Sequence, residues 1–144
     1  MNFETHVRIR RPIEDVFAYL SDPANFPDWN SAVHAVRTTS ETPKDAGSTY
    51  SMERELPNGR AENELEIVAL DSPREFTIRT TSGPTPFRYR YQLSSENGET
   101  IVSLDAEVEL EGAAAFAAPL ARRAVKRGVD DNFAGLKRIL EGWP

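Results

Sequence analysis

The chain has 144 residues, 39% hydrophobic and 28% charged, which suits one domain around a single core and excludes a disordered or membrane chain. A formal net charge of −6 argues against a general electrostatic grip on nucleic acid, and zero cysteines remove disulfides, thiol chemistry and cysteine-based zinc sites. No stretch approaches the ~18 apolar residues of a membrane span, and the charged, alternating start MNFETHVRIRR is not a signal peptide, so a cytoplasmic protein is expected.

Phe3, Thr5, Val7 and Ile9 alternate with charged neighbours, the pattern of a strand with one wet face. Pro12 opens a helix whose stripe is Ile13, Val16, Phe17 and Leu20, at i, i+3, i+4 and i+7. Asp22-Pro23 ends it, and Asp22 is placed to cap a second short helix from Pro23 to about Phe26. Strand periodicity then returns six times: over 33–38, 48–55, 61–70, 75–81, 87–93 and 102–110. Turn chemistry separates the runs at Pro43–Gly47, Pro57-Asn58-Gly59, Asp71-Ser72-Pro73, Gly83–Pro86 and Glu96-Asn97-Gly98. Hairpin order would set Arg88 and Arg90 beside Asp105 and Glu107, a favourable cross-strand pairing, and His6 and Arg8 are expected to face the same acidic strand.

The last segment alone carries helical spacing over several turns: Val125, Val129, Asn132 or Phe133, Leu136 and Leu140. Proline is costly inside a helix, so the main run is expected to start near Pro119 rather than at Ala113. Its apolar stripe should lie across the sheet. Gly128, mid-helix, either permits close approach to the sheet or widens a cavity.

Strand, two short helices, six strands and a long helix is an order that resembles the helix-grip fold of the START-like, or SRPBCC, superfamily. The opening RRPIEDVFAYLSDPANFPDWN and the closing DDNFAGLKRILE are similar to its polyketide cyclase/dehydrase-type branch, and the likeness spans nearly the whole chain. The resemblance implies an α+β domain over residues 1–144: a curved seven-stranded antiparallel sheet wrapped around the long C-terminal helix. It also implies a cavity between sheet and helix. That family includes cyclases, dehydratases and carriers of hydrophobic ligands, and it transfers no catalytic motif to particular residues here.

Strand parity turns Tyr50, Met52, Arg54, Asn63, Phe76, Ile78, Phe87, Tyr89 and Tyr91 inward, together with Thr5 and Thr80. With Trp29 from the helical corner, and with Phe116 and Leu120 from the covering helix, the apolar and aromatic members either fill a core or line a pocket for a flat apolar molecule. Arg54 either snorkels from a strand end or offers an inward guanidinium to a carboxylate or carbonyl. Tyr89 and Tyr91 are candidate general acids or plain core tyrosines. His6 points outward and His34 has no neighbour at ligand spacing, so neither a metal nor another cofactor is expected. No nucleophile elbow, dinucleotide fingerprint or phosphate loop is present.

Three functional readings follow. The first is a binding protein for a small hydrophobic or aromatic molecule. The second is a cyclase or dehydratase acting on a poly-ketone, with Arg54 and a tyrosine as polar aids, for which an acyl-carrier protein is a candidate partner. The third is an interaction module with a solid core. Arg122, Arg123, Lys126 and Arg127 form either a solvated helix face, with Lys126–Asp130 and Arg127–Asp131 pairs, or a basic rim for an acidic partner. Homodimerisation is left open.

Overall fold

The computed structural model describes residues 1–57, 59–111 and 118–143. In chain order it contains β1 (Asn2–Ile9), α1 (Ile13–Leu20), α2 (Phe26–Trp29), β2 (Val33–Thr38), β3 (Thr49–Leu56), β4 (Gly59–Asp71), β5 (Glu75–Ser82), β6 (Phe87–Glu96), β7 (Glu99–Val108) and α3 (Ala118–Glu141). All seven strands form one sheet in the order β1-β7-β6-β5-β4-β3-β2, antiparallel at each pairing. Register shifts at Val33/Ala35 and at Glu64/Leu65 and Ile67/Ala69 bend β2–β5, and a curved sheet gripping a helix is the result.

The helical corner forms for local reasons. Pro12 precedes the first turn of α1, and Ile13, Val16, Phe17 and Leu20 are its buried stripe. Asp22 accepts a hydrogen bond from the Ala24 amide at 3.1 Å and caps a single 3-10 turn, Pro23–Asn25, that leads directly into α2. The corner thus carries Phe26 and Trp29 inward as a T-shaped pair with centroids 5.8 Å apart.

Along β6 and β7 the expected charge pairing is present in the register: Arg88 lies opposite Glu107 and Arg90 opposite Asp105. Arg90 nevertheless bonds Glu75 on β5 at 3.0 Å. β1 does lie beside β7, but His6 faces Ser103 and Arg8 faces Ile101, and the Arg8 guanidinium reaches Glu96 and Glu99 beside the β6–β7 turn instead of the acids at 105 and 107. The expected neighbour strand is there, and the register of that pairing sets Glu4, not a basic residue, against Asp105.

α3 begins at Ala118, so Pro119 falls in the first turn, where a missing N–H is harmless. It runs alongside β1 in the same direction. Arg122 Nε donates to the Asn2 carbonyl at 3.2 Å, Thr5 Oγ1 to Asp130, Lys137 Nζ to the Arg8 carbonyl at 2.6 Å, and the Arg10 amide to Glu141 at 2.8 Å. Arg122, Lys137 and Glu141 thereby satisfy backbone groups along and just beyond the edge strand, and Asp130 holds its Thr5 hydroxyl. Phe133, Leu136 and Leu140 are buried, each contributing roughly 1.5–3 kcal/mol, whereas Val125 and Val129, nearer the start, are only half-buried. α3 packs chiefly on β1 and α2, which leaves the concave face of β3–β6 uncovered toward the helix's first half.

Candidate functional site

A cavity of about 210 Å³ occupies that uncovered space. It is many times the space one water needs, more than imperfect packing leaves, and small for a ligand site. Strands β3, β5 and β6 supply Met52, Arg54, Ile78, Phe87, Tyr89 and Tyr91; the corner and β2 supply Phe26, Trp29, Asn30 and Val33; α3 closes it with Val125, Gly128, Val129, Asn132 and Phe133.

The wall is a chain of rings. Phe76 stacks on Tyr91 at 5.9 Å, Tyr91 meets Tyr89 edge-on at 6.3 Å, and Tyr89 tilts against Phe87 at 4.6 Å. Phe133 of α3 comes within 6.2 Å of Tyr91, fixing the helix to the ring chain. Alternation in β6 is the cause: period two places positions 87, 89 and 91 on one face.

Arg54 is the polar centre. Its Nε donates to Asn63 Oδ1 at 2.7 Å, and Nη2 donates to the carbonyls of Pro84 and Thr85 at 3.0 and 2.7 Å. The guanidinium lies 5.1 Å from the centre of the Phe87 ring, so an aromatic face shares in holding the charge. Asn63, fully buried, donates in turn to the Ser82 and Pro84 carbonyls at 3.1 and 2.9 Å. The 83–86 loop is thus bound into the site by its backbone oxygens. Burial lowers the Arg54 pKa from its ordinary value. Burial raises the Tyr89 hydroxyl to about 12 despite the opposing pull of Arg54, and pushes Tyr91 well above the ordinary tyrosine range. Both tyrosines therefore stay protonated at neutral pH and can donate hydrogen bonds.

Of the residues expected from the sequence, Trp29, Met52, Arg54, Ile78, Phe87, Tyr89 and Tyr91 meet at the cavity. Tyr50, Asn63 and Phe76 stand behind the wall: the Tyr50 hydroxyl accepts the Lys44 amide at 2.8 Å, Asn63 holds Arg54, and Phe76 backs Tyr91. Leu120, expected on the lid, is 70% exposed and forms no part of the wall, since α3 at that turn follows β1 at the sheet edge, with Arg122 bonded to Asn2. Phe116 lies outside the described residues. Parity did not find Phe26, Asn30, Ala32 or Val33, which come from a corner and strand start without a period; the i, i+4 spacing of Val125, Val129 and Phe133 was the signal for the helical side. Lys126 pairs with Asp130 at 2.9 Å, whereas Arg123 and Arg127 have no ion-pair partner among the described residues. No cluster of metal-ligating side chains occurs among the described residues, and none of their helices is long and apolar enough to cross a membrane.

Comparison with known proteins agrees with this architecture. The family model described as polyketide cyclase/dehydrase and lipid transport matches residues 1–141. A solved protein of Thermus thermophilus superposes with a TM-score of 0.79 at 14% identity, covering 96% of this chain and 95% of its own. A START superfamily protein of Mycobacterium smegmatis gives 0.78 at 14% identity, with 97% of each chain covered. The di-domain aromatase/cyclase StfQ of the steffimycin biosynthetic pathway also gives 0.78 at 14% identity, over 97% of this chain and 50% of that one. At such identities the likeness is one of fold. No curated protein matches the sequence.

Proposed function

The chain belongs to the polyketide cyclase/dehydrase and lipid transport family, and from that premise we propose that its cavity binds a small, flat, largely apolar molecule. The observation that carries the reading is the ring-walled space of about 210 Å³ between the sheet and α3. A solid-core interaction module would have filled it. A partly open space of this size suits a compact ligand of one or a few rings.

What supports binding over ring closure or dehydration is the protonation of the site. General acid–base turnover is most efficient when the group's pKa lies near the working pH. Tyr89 and Tyr91 are driven the other way by burial, and the Arg54 guanidinium stays charged at neutral pH. Groups in these states suit orienting a ligand better than passing protons to and from it.

Native mass spectrometry of the protein purified from cells, then incubated with a small-molecule extract, tests the reading. It predicts a discrete adduct of at most a few fused rings that is lost on denaturation. A bare mass under both conditions would contradict it.

A further inference from the structure

The polar atoms of the cavity wall are unbalanced. The two side-chain amide oxygens on it are occupied: Asn30 Oδ1 accepts from the Ala32 amide at 3.0 Å and from Asn132 Nδ2 at 3.1 Å, and Asn132 Oδ1 accepts from the Ser31 amide at 3.2 Å. The Glu55 carboxylate, also on the wall, is largely exposed and lies 3.9 Å from His34. Several donors are not occupied. Trp29 Nε1 is buried with no acceptor, and the Tyr89 and Tyr91 hydroxyls have no hydrogen-bond partner among the described residues. Arg54 uses Nε and Nη2 on neutral oxygens, which leaves Nη1 without an acceptor among the described residues.

Arg54 also lacks a counter-charge. No carboxylate forms an ion pair with it among the described residues; Glu53 is held by Arg60 at 2.8 Å, and Glu55, at the cavity rim, lies 3.9 Å from His34. Positions 58 and 112–117 carry no acidic side chain. A half-buried cation bonded only to neutral groups is costly, and a ligand anion is the natural way to complete it. Arg54 is the only cationic side chain on the wall among the described residues, which matches a single negative charge better than a phosphate's two.

We propose that the ligand is a monocarboxylic acid on a flat, apolar body, its carboxylate seated on Arg54 and its rings against Phe87, Tyr89 and Tyr91. This rests on the cavity being a ligand site, and it makes Arg54 the residue that sets specificity for acids over neutral molecules of equal shape. The spare Trp29 and tyrosine donors complete the acceptor shell of the bound acid.

Calorimetric titration at pH 7 with benzoic, trans-cinnamic and 1-naphthoic acids, each beside its matching alcohol, tests it. At least one acid should bind wild-type protein roughly ten- to a hundredfold more tightly than its alcohol, the range of a charge-assisted hydrogen bond. Arg54→Gln should abolish that preference, bringing the acid-to-alcohol affinity ratio to within about threefold of one, because the charge-assisted bond to the carboxylate is lost. Trp29→Phe, which removes the indole donor together with one ring of the wall, should keep the preference and weaken both ligands. Should Arg54→Gln fail to fold, the wild-type acid-to-alcohol ratio still decides. Alcohols bound as tightly as acids would overturn the carboxylate assignment and leave the cavity reading standing. Binding of neither class would overturn both.

Discussion

At Gly83 the backbone adopts φ +100°, and a Cβ there would lie 2.5 Å from the Glu62 carbonyl and 2.6 Å from Asn63 Nδ2. Only glycine lets the 83–86 loop come near enough for its carbonyls to take up Asn63 and Arg54. Gly83→Ala should therefore destabilise the protein by roughly 2–4 kcal/mol, combining a left-handed residue with a backbone clash. The midpoint of urea unfolding measures it; an unchanged midpoint would show that the loop relaxes freely and that Arg54 is not held by it. Gly128 is the opposite case. Among the described residues nothing lies within 4 Å of its would-be Cβ, so of the two roles open to it from sequence the structure favours the roomier one.

At the scale of the element, α3 divides into an anchored and an unanchored half. Leu136→Ala, in a fully buried position, should cost about 2–5 kcal/mol, while Leu120→Ala should stay within about 0.5 kcal/mol. Comparable losses at both sites, read from thermal or urea unfolding, would mean that the helix start is packed after all. The C-terminal end is fixed by charge. The Lys137 ammonium and the Arg10 amide hold the Glu141 carboxyl down at about 2 from its ordinary 4.5. A depressed folded-state pKa contributes stability that is complete above the unfolded value and is lost as pH falls through the folded one. Between pH 6 and pH 3 the wild type should accordingly lose more stability than Glu141→Gln, measured by urea unfolding at the two pH values. Equal losses would remove Glu141 from the clasp.

For the whole molecule, the sheet was legible because period two is enforced by burial on one face: Tyr50, Leu65, Phe76, Tyr91 and Leu104 each sit where parity put them. The strand half of the candidate site was legible for the same reason. The rest depends on long-range geometry that no local period records. Phe26 and Val33 face the cavity because the corner packs against β2 and α3, Leu120 does not because α3 follows β1, and the placement of His6 and Arg8 turned on the register of β1 against β7. Whether rings fill a core or wall a void is likewise set by how far the helix stands from the sheet.

That void is the central claim, and the protein carries its own reporters. Trp29 lines the cavity, whereas Trp143 lies outside it, packed on Tyr19 at 5.2 Å and beneath Arg11. Two-dimensional ¹⁵N–¹H NMR resolves their indole N–H signals during titration with a flat aromatic molecule. The account predicts a saturable shift of the Trp29 signal with Trp143 unmoved. A static Trp29 signal at saturating ligand, or parallel shifts of both, would contradict it.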